Sequence, residues 1–138
     1  MSKIIDKSLA EDGRRALGWA GENMPILATI RERYEKEKPL TGLSVGVAMH
    51  LEQKTGVLLQ TLQAGGAEIS ASSCNPLTTD DSVAAALSEE MDIFAWSGHH
   101  NPVVSGHRCY FVKEKLGQRF PGYINTIKGK WRAKLGFS

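Results

Sequence analysis

Cysteine is scarce in this 138-residue sequence: Cys74 and Cys109 are the only two. Two cannot define the disulfide framework on which small secreted domains depend, so the expectation is reduced thiols and a cytoplasmic setting. No apolar run approaches the roughly 18–20 residues of a membrane-spanning helix, and no membrane partner is expected. The start, Met1 to Lys7, is polar and carries both charge signs, unlike a signal peptide. There is no G-x-G-x-x-G, no Walker motif and no G-x-S-x-G. The chain therefore has no dinucleotide fingerprint of its own, no P-loop and no nucleophile elbow. Internal repeats and low-complexity tracts are also missing.

Acidic residues nearly vanish from the last part of the chain. Residues 1–96 hold 9 Lys/Arg against 14 Asp/Glu, a balance of −5. Residues 97–138 hold 8 Lys/Arg and a single acid, Glu114, a balance of +7. Such a break marks two segments with different histories or partners. A basic segment of this kind reads first as a solvated extension. Nucleic-acid binding is the alternative, and it is not the favoured one.

What is present is ordinary for a globular domain: 41% hydrophobic and 23% charged residues, in a length that suits one domain. Ser8 to Glu11 matches a capping box and predicts a helix to about Gly21, with Leu9, Ala16, Leu17 and Ala20 as its apolar stripe. Asn23 reads as a second cap, with Pro25 in the first turn that follows. Ile26, Leu27, Ile30 and Tyr34 then fall at helical spacing, and Pro39 and Gly42 stop that helix. The charges from Arg31 to Lys38 predict a solvated face with i,i+4 pairs.

From residue 43 the rhythm changes. Leu43 to Met49 predicts a strand. Leu51 to about Gln63 predicts a helix, with Leu51, Thr55, Leu58, Leu59 and Leu62 inward and Gly65-Gly66 at its end. Ala67 to Ser72 predicts a second strand, and Asn75-Pro76 a turn. Thr78 and Asp81 resemble another capping box before a helix over Ser82 to Glu90. Ile93 to Trp96 predicts a third strand. This β-α-β-α-β order is the repeating unit of a doubly wound parallel sheet. In such sheets ligands bind beyond the carboxyl ends of the strands. Those ends are Met49-His50, Ser72 to Asp81, and Trp96 to Gly98. Beyond Gly98 no βα rhythm continues, and Tyr110 to Leu116 could be a strand or a helical turn.

The polar residues fall on those loops. His50, at a strand-to-helix turn beside Glu52 and Lys54, could bond a sugar or act as acid or base. Taken alone it is more often structural or capping. Glu52 also suits the positive end of the following helix, and Glu52 and Lys54 alone would be surface charges. The stretch from Ser72 to Asp81 is dense in hydrogen-bonding groups. It reads equally as a turn with a cap and as a loop that orients a small ligand. Cys74 has no histidine near it in sequence and reads as inert. His99, His100, His107 and Cys109 fit no standard zinc spacing, so no metal is expected.

Several stretches together resemble S-adenosylhomocysteine hydrolase. They are Leu9 to Arg14; Met24-Pro25 with Arg31 to Tyr34 and Lys38 to Leu40; His50 to Thr55, Val57-Leu58, Thr61-Leu62 and Gly66 to Glu68; Ser73 to Asp81 with Ala84 to Ala86; and Ile93 to Trp96 with Gly98. They run in order over about residues 4–98. The resemblance implies a substrate-binding domain of Rossmann-like type over residues 1–98, followed by a basic tail over 99–138. The family reversibly hydrolyses S-adenosylhomocysteine to adenosine and homocysteine, with a bound NAD that oxidises the ribose 3′-hydroxyl and later reduces the ketone. Its members are homo-oligomers, usually tetramers.

Residue by residue, the resemblance places His50 near the ribose and the homocysteine-bearing carbon. Glu52 stands where many members have a ribose-side threonine. Lys54 stands where many have a glutamate that reads the adenine amino group. Lysine only donates, so that logic is inverted, and a hypoxanthine base with its carbonyl acceptor becomes the alternative. Asn75, Thr78 and Thr79 match the loop near the homocysteine end. Asp80 replaces a common glutamine. The family's later catalytic acids, its lysine-aspartate pair, its second histidine and its NAD domain have no counterpart in these 138 residues. The resemblance therefore implies that NAD does not bind this chain alone and that the chain alone is inactive.

Three expectations follow. The first is a truncated or frameshifted hydrolase, its tail out of frame from about residue 97, marginal in stability because a sheet edge lacks further strands. The second is a non-catalytic protein that binds an adenosine-type or inosine-type nucleoside, or associates with full-length hydrolase. The third is a nucleic-acid binder acting through the basic tail.

Overall fold

The computed structural model describes residues 2–98. Residues 99–138, with the stretch 110–116 and the four residues considered for zinc, lie outside the described part.

The chain opens on a 3-10 turn, Lys7–Leu9, whose cap is Asp6. The Ser8 amide donates to the Asp6 carboxylate at 2.8 Å, and this bond holds that carboxyl below its ordinary range. The expected Ser8–Glu11 capping box is not formed. Ser8 lies inside the turn, and Glu11 accepts instead from Arg14 at 2.6 Å. Helix α1 (Ala10–Glu22) follows and buries Ala10, Gly13, Leu17 and Ala20. Asn23 does not cap the next helix; its side-chain amide donates back to the Trp19 carbonyl at 2.8 Å. Helix α2 (Pro25–Glu37) starts directly on Pro25, where a missing amide hydrogen costs nothing. Leu27 packs on the core, but Ile26 is 77% exposed. The charged face carries the Arg31–Glu35 and Arg33–Glu37 pairs at i,i+4 spacing, as predicted.

Strand β1 (Ser44–Met49), helix α3 (Gln53–Ala64), strand β2 (Glu68–Ser73), a 3-10 turn (Pro76–Thr78), helix α4 (Asp81–Leu87) and strand β3 (Asp92–Phe94) complete the described chain. Gly66 turns α3 into β2 at φ +93°, a left-handed value that a side chain would strain. The three strands are parallel in the order β1-β2-β3. Val45 pairs with Ile69, Val47 with Ala71, and Ala71 in turn with Ile93. The α/β class and the βαβαβ order are those predicted from periodicity.

The strand order decides where the helices sit. Both crossovers step the same way along the sheet, so right-handed connections put α3 and α4 on one face. Ile69, Ala71 and Ile93 point to that face and form one core with Leu51, Val57, Leu59, Val83 and Leu87. Leu59, Val83, Leu87 and Ile93 are wholly buried, each contributing about 1.5–3 kcal/mol by leaving water. Helix α1 packs on α3 and α4, and α2 on α3. Close approach there uses small residues: Gly13 and Gly56 face the alanine-rich α4 or its neighbours.

The sheet edges differ. Strand β3 is covered on its outer edge by the N-terminal segment: the Lys3 amide donates to the Ile93 carbonyl at 2.8 Å, and the Ala95 amide to the Lys3 carbonyl at 3.1 Å. Ser2 Oγ accepts from the Ile93 amide at 3.0 Å and donates to the Met91 carbonyl. The edge expected to lack a neighbour is thus partly closed by the chain's own start. Strand β1 pairs with no further strand among the described residues.

Helix α4 is capped by Asp80, not by the predicted Thr78–Asp81 box. The Asp80 Oδ1 accepts from the Ser82 amide at 3.0 Å, the Val83 amide at 3.2 Å and the Ser82 hydroxyl at 2.7 Å. Thr78 is held back in the 3-10 turn, and the helix starts two residues later than a Thr78 cap requires. Asp80→Ala is expected to lower stability by about 1 kcal/mol, as cap removals do. Asp80→Asn keeps the acceptor and most of the stability. Urea unfolding of both variants checks this.

Candidate functional site

The carboxyl ends of β1 and β2 are stitched together by backbone. The Cys74 amide donates to the Met49 carbonyl at 3.0 Å, and the Asp80 amide to the Leu51 carbonyl at 2.9 Å. Leu51, 1% exposed, anchors the first of these loops in the core. His50 lies between the two tie points and stays exposed. Its Nδ1 is 2.5 Å from the Thr78 hydroxyl, joining residues 28 apart in sequence.

The loop after β2 is built on its own polar groups. The Asn75 side chain accepts from the Leu77 amide at 3.0 Å and caps the 3-10 turn. The Asn75 carbonyl receives the Thr78 hydroxyl at 3.2 Å and the Thr79 hydroxyl at 2.9 Å. Ser73 Oγ and Thr79 Oγ1 stand 2.5 Å apart. Such short-range side-chain bonds hold a turn that a helix or strand would not tolerate. The predicted residues His50, Asn75, Thr78 and Thr79 therefore form one connected group. Asp80 belongs to it through its backbone, while its Oδ1 serves the α4 cap.

Glu52 and Lys54 stand at the start of α3, Glu52 as its N-cap residue without a side-chain cap bond. Both are exposed. They lie on the rim of the same strand end as His50. At i,i+2 spacing they do not face each other, and neither makes an ion pair with a described residue.

The third loop joins through residues that sequence reasoning did not select. The Asp81 carboxylate accepts from the Ser97 amide at 2.7 Å, and also from the Ser97 hydroxyl. A carboxylate gripping both donors of one residue ties the end of β3 to the start of α4. The signal was faint: Ser97 sits at the charge break and reads as the first residue of the tail.

Neither strand-to-helix loop carries the glycines of a dinucleotide cradle. The β1–α3 turn runs His50-Leu51-Glu52 and the β2–α4 loop Cys74 to Asp80, both without glycine. Without glycine, neither turn gives a pyrophosphate the close backbone approach of a dinucleotide fold. The described residues do not fit NAD. No group of three or more His, Cys, Asp or Glu among them could hold a metal ion. No described helix is long and apolar enough to cross a membrane.

A cleft of about 410 Å3 opens elsewhere, lined by residues that include Arg14, Leu17, Gly18, Arg31 and Glu90. It contains none of the predicted residues. Its guanidiniums are already paired, Arg14 with Glu11 and Glu89, Arg31 with Glu35. It offers an incoming anion no free cation.

A sequence model of the S-adenosyl-L-homocysteine hydrolase family matches residues 1–106. The chain belongs to this family. An S-inosyl-L-homocysteine hydrolase of Methanopyrus kandleri is 55% identical over 96 residues, covering 69% of this chain and 23% of that protein. One of Methanosarcina mazei is 55% identical over 97 residues, covering 69% and 24%. An adenosylhomocysteinase of Pyrobaculum aerophilum is 51% identical over 98 residues, covering 70% and 22%. The chain thus spans about a quarter of the length of these relatives. For a hydrolase-family chain, the loops at the strand ends are the part the resemblance assigned to substrate. The family match also runs past Gly98 and includes Ser97, so the Asp81–Ser97 tie lies within it.

Proposed function

We propose that residues 1–98 form the nucleoside-binding part of a homocysteine-nucleoside hydrolase, and that His50, Glu52, Lys54, Asn75, Thr78, Thr79 and Asp80 are its contacts on this chain. The observation that carries this reading is the joining of His50 to the Asn75–Thr79 turn at the carboxyl ends of two adjacent parallel strands. Ligands in open parallel sheets bind at that place. His50 is exposed there and offers a ring nitrogen to a sugar hydroxyl. The Asn75–Thr79 turn lies beside it for the homocysteine-side groups.

The base is read by Lys54. Its ammonium only donates, so it favours the carbonyl oxygen of hypoxanthine over the amino group of adenine. Two of the relatives above carry S-inosyl-L-homocysteine in their names, which supports the same choice. Complete hydrolysis requires a hydride acceptor and acid-base groups beyond those described, so the 138-residue chain binds nucleoside without turning it over. Isothermal titration of the chain with inosine and with adenosine tests this. Saturable inosine binding that His50→Ala weakens supports the site. Absence of heat or of chemical-shift change with either nucleoside sinks it.

A second reading is association with full-length hydrolase subunits. It is motivated by the outer edge of β1, which pairs with no further strand among the described residues, and by Leu43 before it and Met49 at its end, 52% and 44% exposed. Mixing with an intact family enzyme, followed by size-exclusion chromatography, removes it if the chain elutes alone.

A further inference from the structure

We infer that the outer edge of β1 is the seat of a fourth parallel strand, supplied by the part of the family's chain that these 138 residues do not match. The pairing itself is independent of the nucleoside reading; what it does for the site rests on that reading. The first observation is the strand order. Both crossovers step the same way, from β1 to β2 to β3. A doubly wound sheet reverses that order once, and ligands bind in the crevice beyond the strand ends where it reverses. No reversal falls within β1-β2-β3. The outer edge of β3 is taken by Ser2 and Lys3. Among the described residues, the outer edge of β1 is left for a strand that continues the sheet the other way. His50 follows β1 directly, so a strand seated there puts His50 on one wall of the crevice.

The second observation is the chemistry of that edge. The Leu43 and Met49 carbonyls accept from the Glu68 and Cys74 amides at 2.9 and 3.0 Å. Alternate residues of a parallel strand turn their backbone groups the same way, so Leu43, Val45, Val47 and Met49 face β2. Ser44, Gly46 and Ala48 turn theirs outward. The strand, Ser44–Met49, holds no charge and no proline, the devices by which an edge left in water repels other strands. It is suited to being covered. The choice of partner follows from geometry. A second copy of this chain, brought to β1 by a two-fold axis, would pair antiparallel and set its His50 at the far end, so no shared crevice would form. An intact family subunit already holds a strand of its own against the corresponding edge. The unmatched part of a relative is free to supply one, and it is long: the matched residues are 23% of the Methanopyrus kandleri protein.

The test co-expresses the full 138-residue chain with the Methanopyrus kandleri relative stripped of its 96 matched residues and tagged. The expected result is co-purification. Amide exchange then locates the contact. Exchange at Gly46 and Ala48 should slow by at least about tenfold in the complex, while Val47, facing β2, is protected with or without the partner. Ala48→Pro removes one outward N–H, which an edge strand tolerates. It should keep its fold in urea unfolding and lose capture, and Ala48→Ser should restore it. If Ala48→Pro does not fold, the exchange pattern decides alone. Failure to co-purify overturns the inference. So do capture without protection at Gly46 and Ala48, capture by a folded Ala48→Pro, and equal capture of the intact relative. Inosine affinity supplies the second arm: the complex should bind at least about tenfold tighter than the chain alone, because a closed crevice buries more of the ligand. An unchanged affinity overturns the crevice. If the pieces pair through β1 and neither form binds nucleoside, the pairing stands and the nucleoside reading fails.

Discussion

Replacing Gly13 by alanine is expected to cost about 1–3 kcal/mol of stability, the usual range for overpacking a filled site, although alanine is the better helix former. A Cβ built at Gly13 would lie 1.9 Å from the Ser82 carbonyl oxygen, 2.5 Å from its carbon and 2.9 Å from the Ala86 methyl. The first two are backbone atoms at the start of α4, and they cannot rotate away. Helix α1 would have to lift off α4, uncovering Leu17 and Ala20, which close the outer side of the core. The contrast lies five residues further along the same helix. A Cβ at Gly18 meets nothing within 4 Å. Gly18→Ala is therefore expected to stabilise by up to about 1 kcal/mol through helix propensity alone. Urea unfolding of the two variants gives opposite signs. A neutral Gly13→Ala would mean that α1 does not sit on α4 at this distance. For a domain whose whole stability is on the order of 5–15 kcal/mol, the loss at Gly13 is large.

Gly13 also shows what can be read from the chain and what cannot. The strands and helices from residue 43 onward carry period-2 or period-3.6 apolar patterns, and the structure has them in the predicted order. Those patterns come from burial against one core, so they survive in the sequence. Caps depend on single hydrogen bonds. Ser8–Glu11 and Thr78–Asp81 both have capping-box spacing, and in both a short 3-10 turn comes before the helix: Asp6 caps the first turn and α1 follows it from Leu9 without a side-chain cap, while Asp80 caps α4. Nothing periodic marks such a turn. The Lys3 bridge to β3 involves one residue pair and leaves no pattern either. The site follows the same division. The rule for open parallel sheets located the three loops, and the family resemblance named His50 and the Asn75–Asp80 stretch. That His50 meets Thr78 rather than Glu52, two residues away, is a fact of strand register and of the Asn75 turn. The Asp81–Ser97 tie was hidden for a different reason: two ordinary polar residues 16 apart acquire meaning only when β3 brings them together.

Lys54→Glu is expected to reverse the purine preference of the chain. On the proposed reading the native ammonium, exposed at the start of α3, donates to a base carbonyl, and inosine is expected to bind more tightly than adenosine. Glutamate at the same position only accepts. It would receive a hydrogen bond from the adenine amino group and would repel the hypoxanthine oxygen. Each change is worth about 1–1.5 kcal/mol for a hydrogen bond made or lost, so the inosine-to-adenosine affinity ratio should move by about 10² in total. Lys54→Met removes the donor without supplying an acceptor, and should abolish the preference without inverting it. Folding is not at risk, because Lys54 is exposed and holds no described residue. Competition titrations of the three proteins with both nucleosides decide the matter. An unchanged ratio in Lys54→Glu would take the base away from Lys54 and leave Glu52, on the other side of the same helical turn, as the residue to examine. A loss of all nucleoside binding with an intact fold would instead show that the ammonium supplies affinity for either base and does not choose between them.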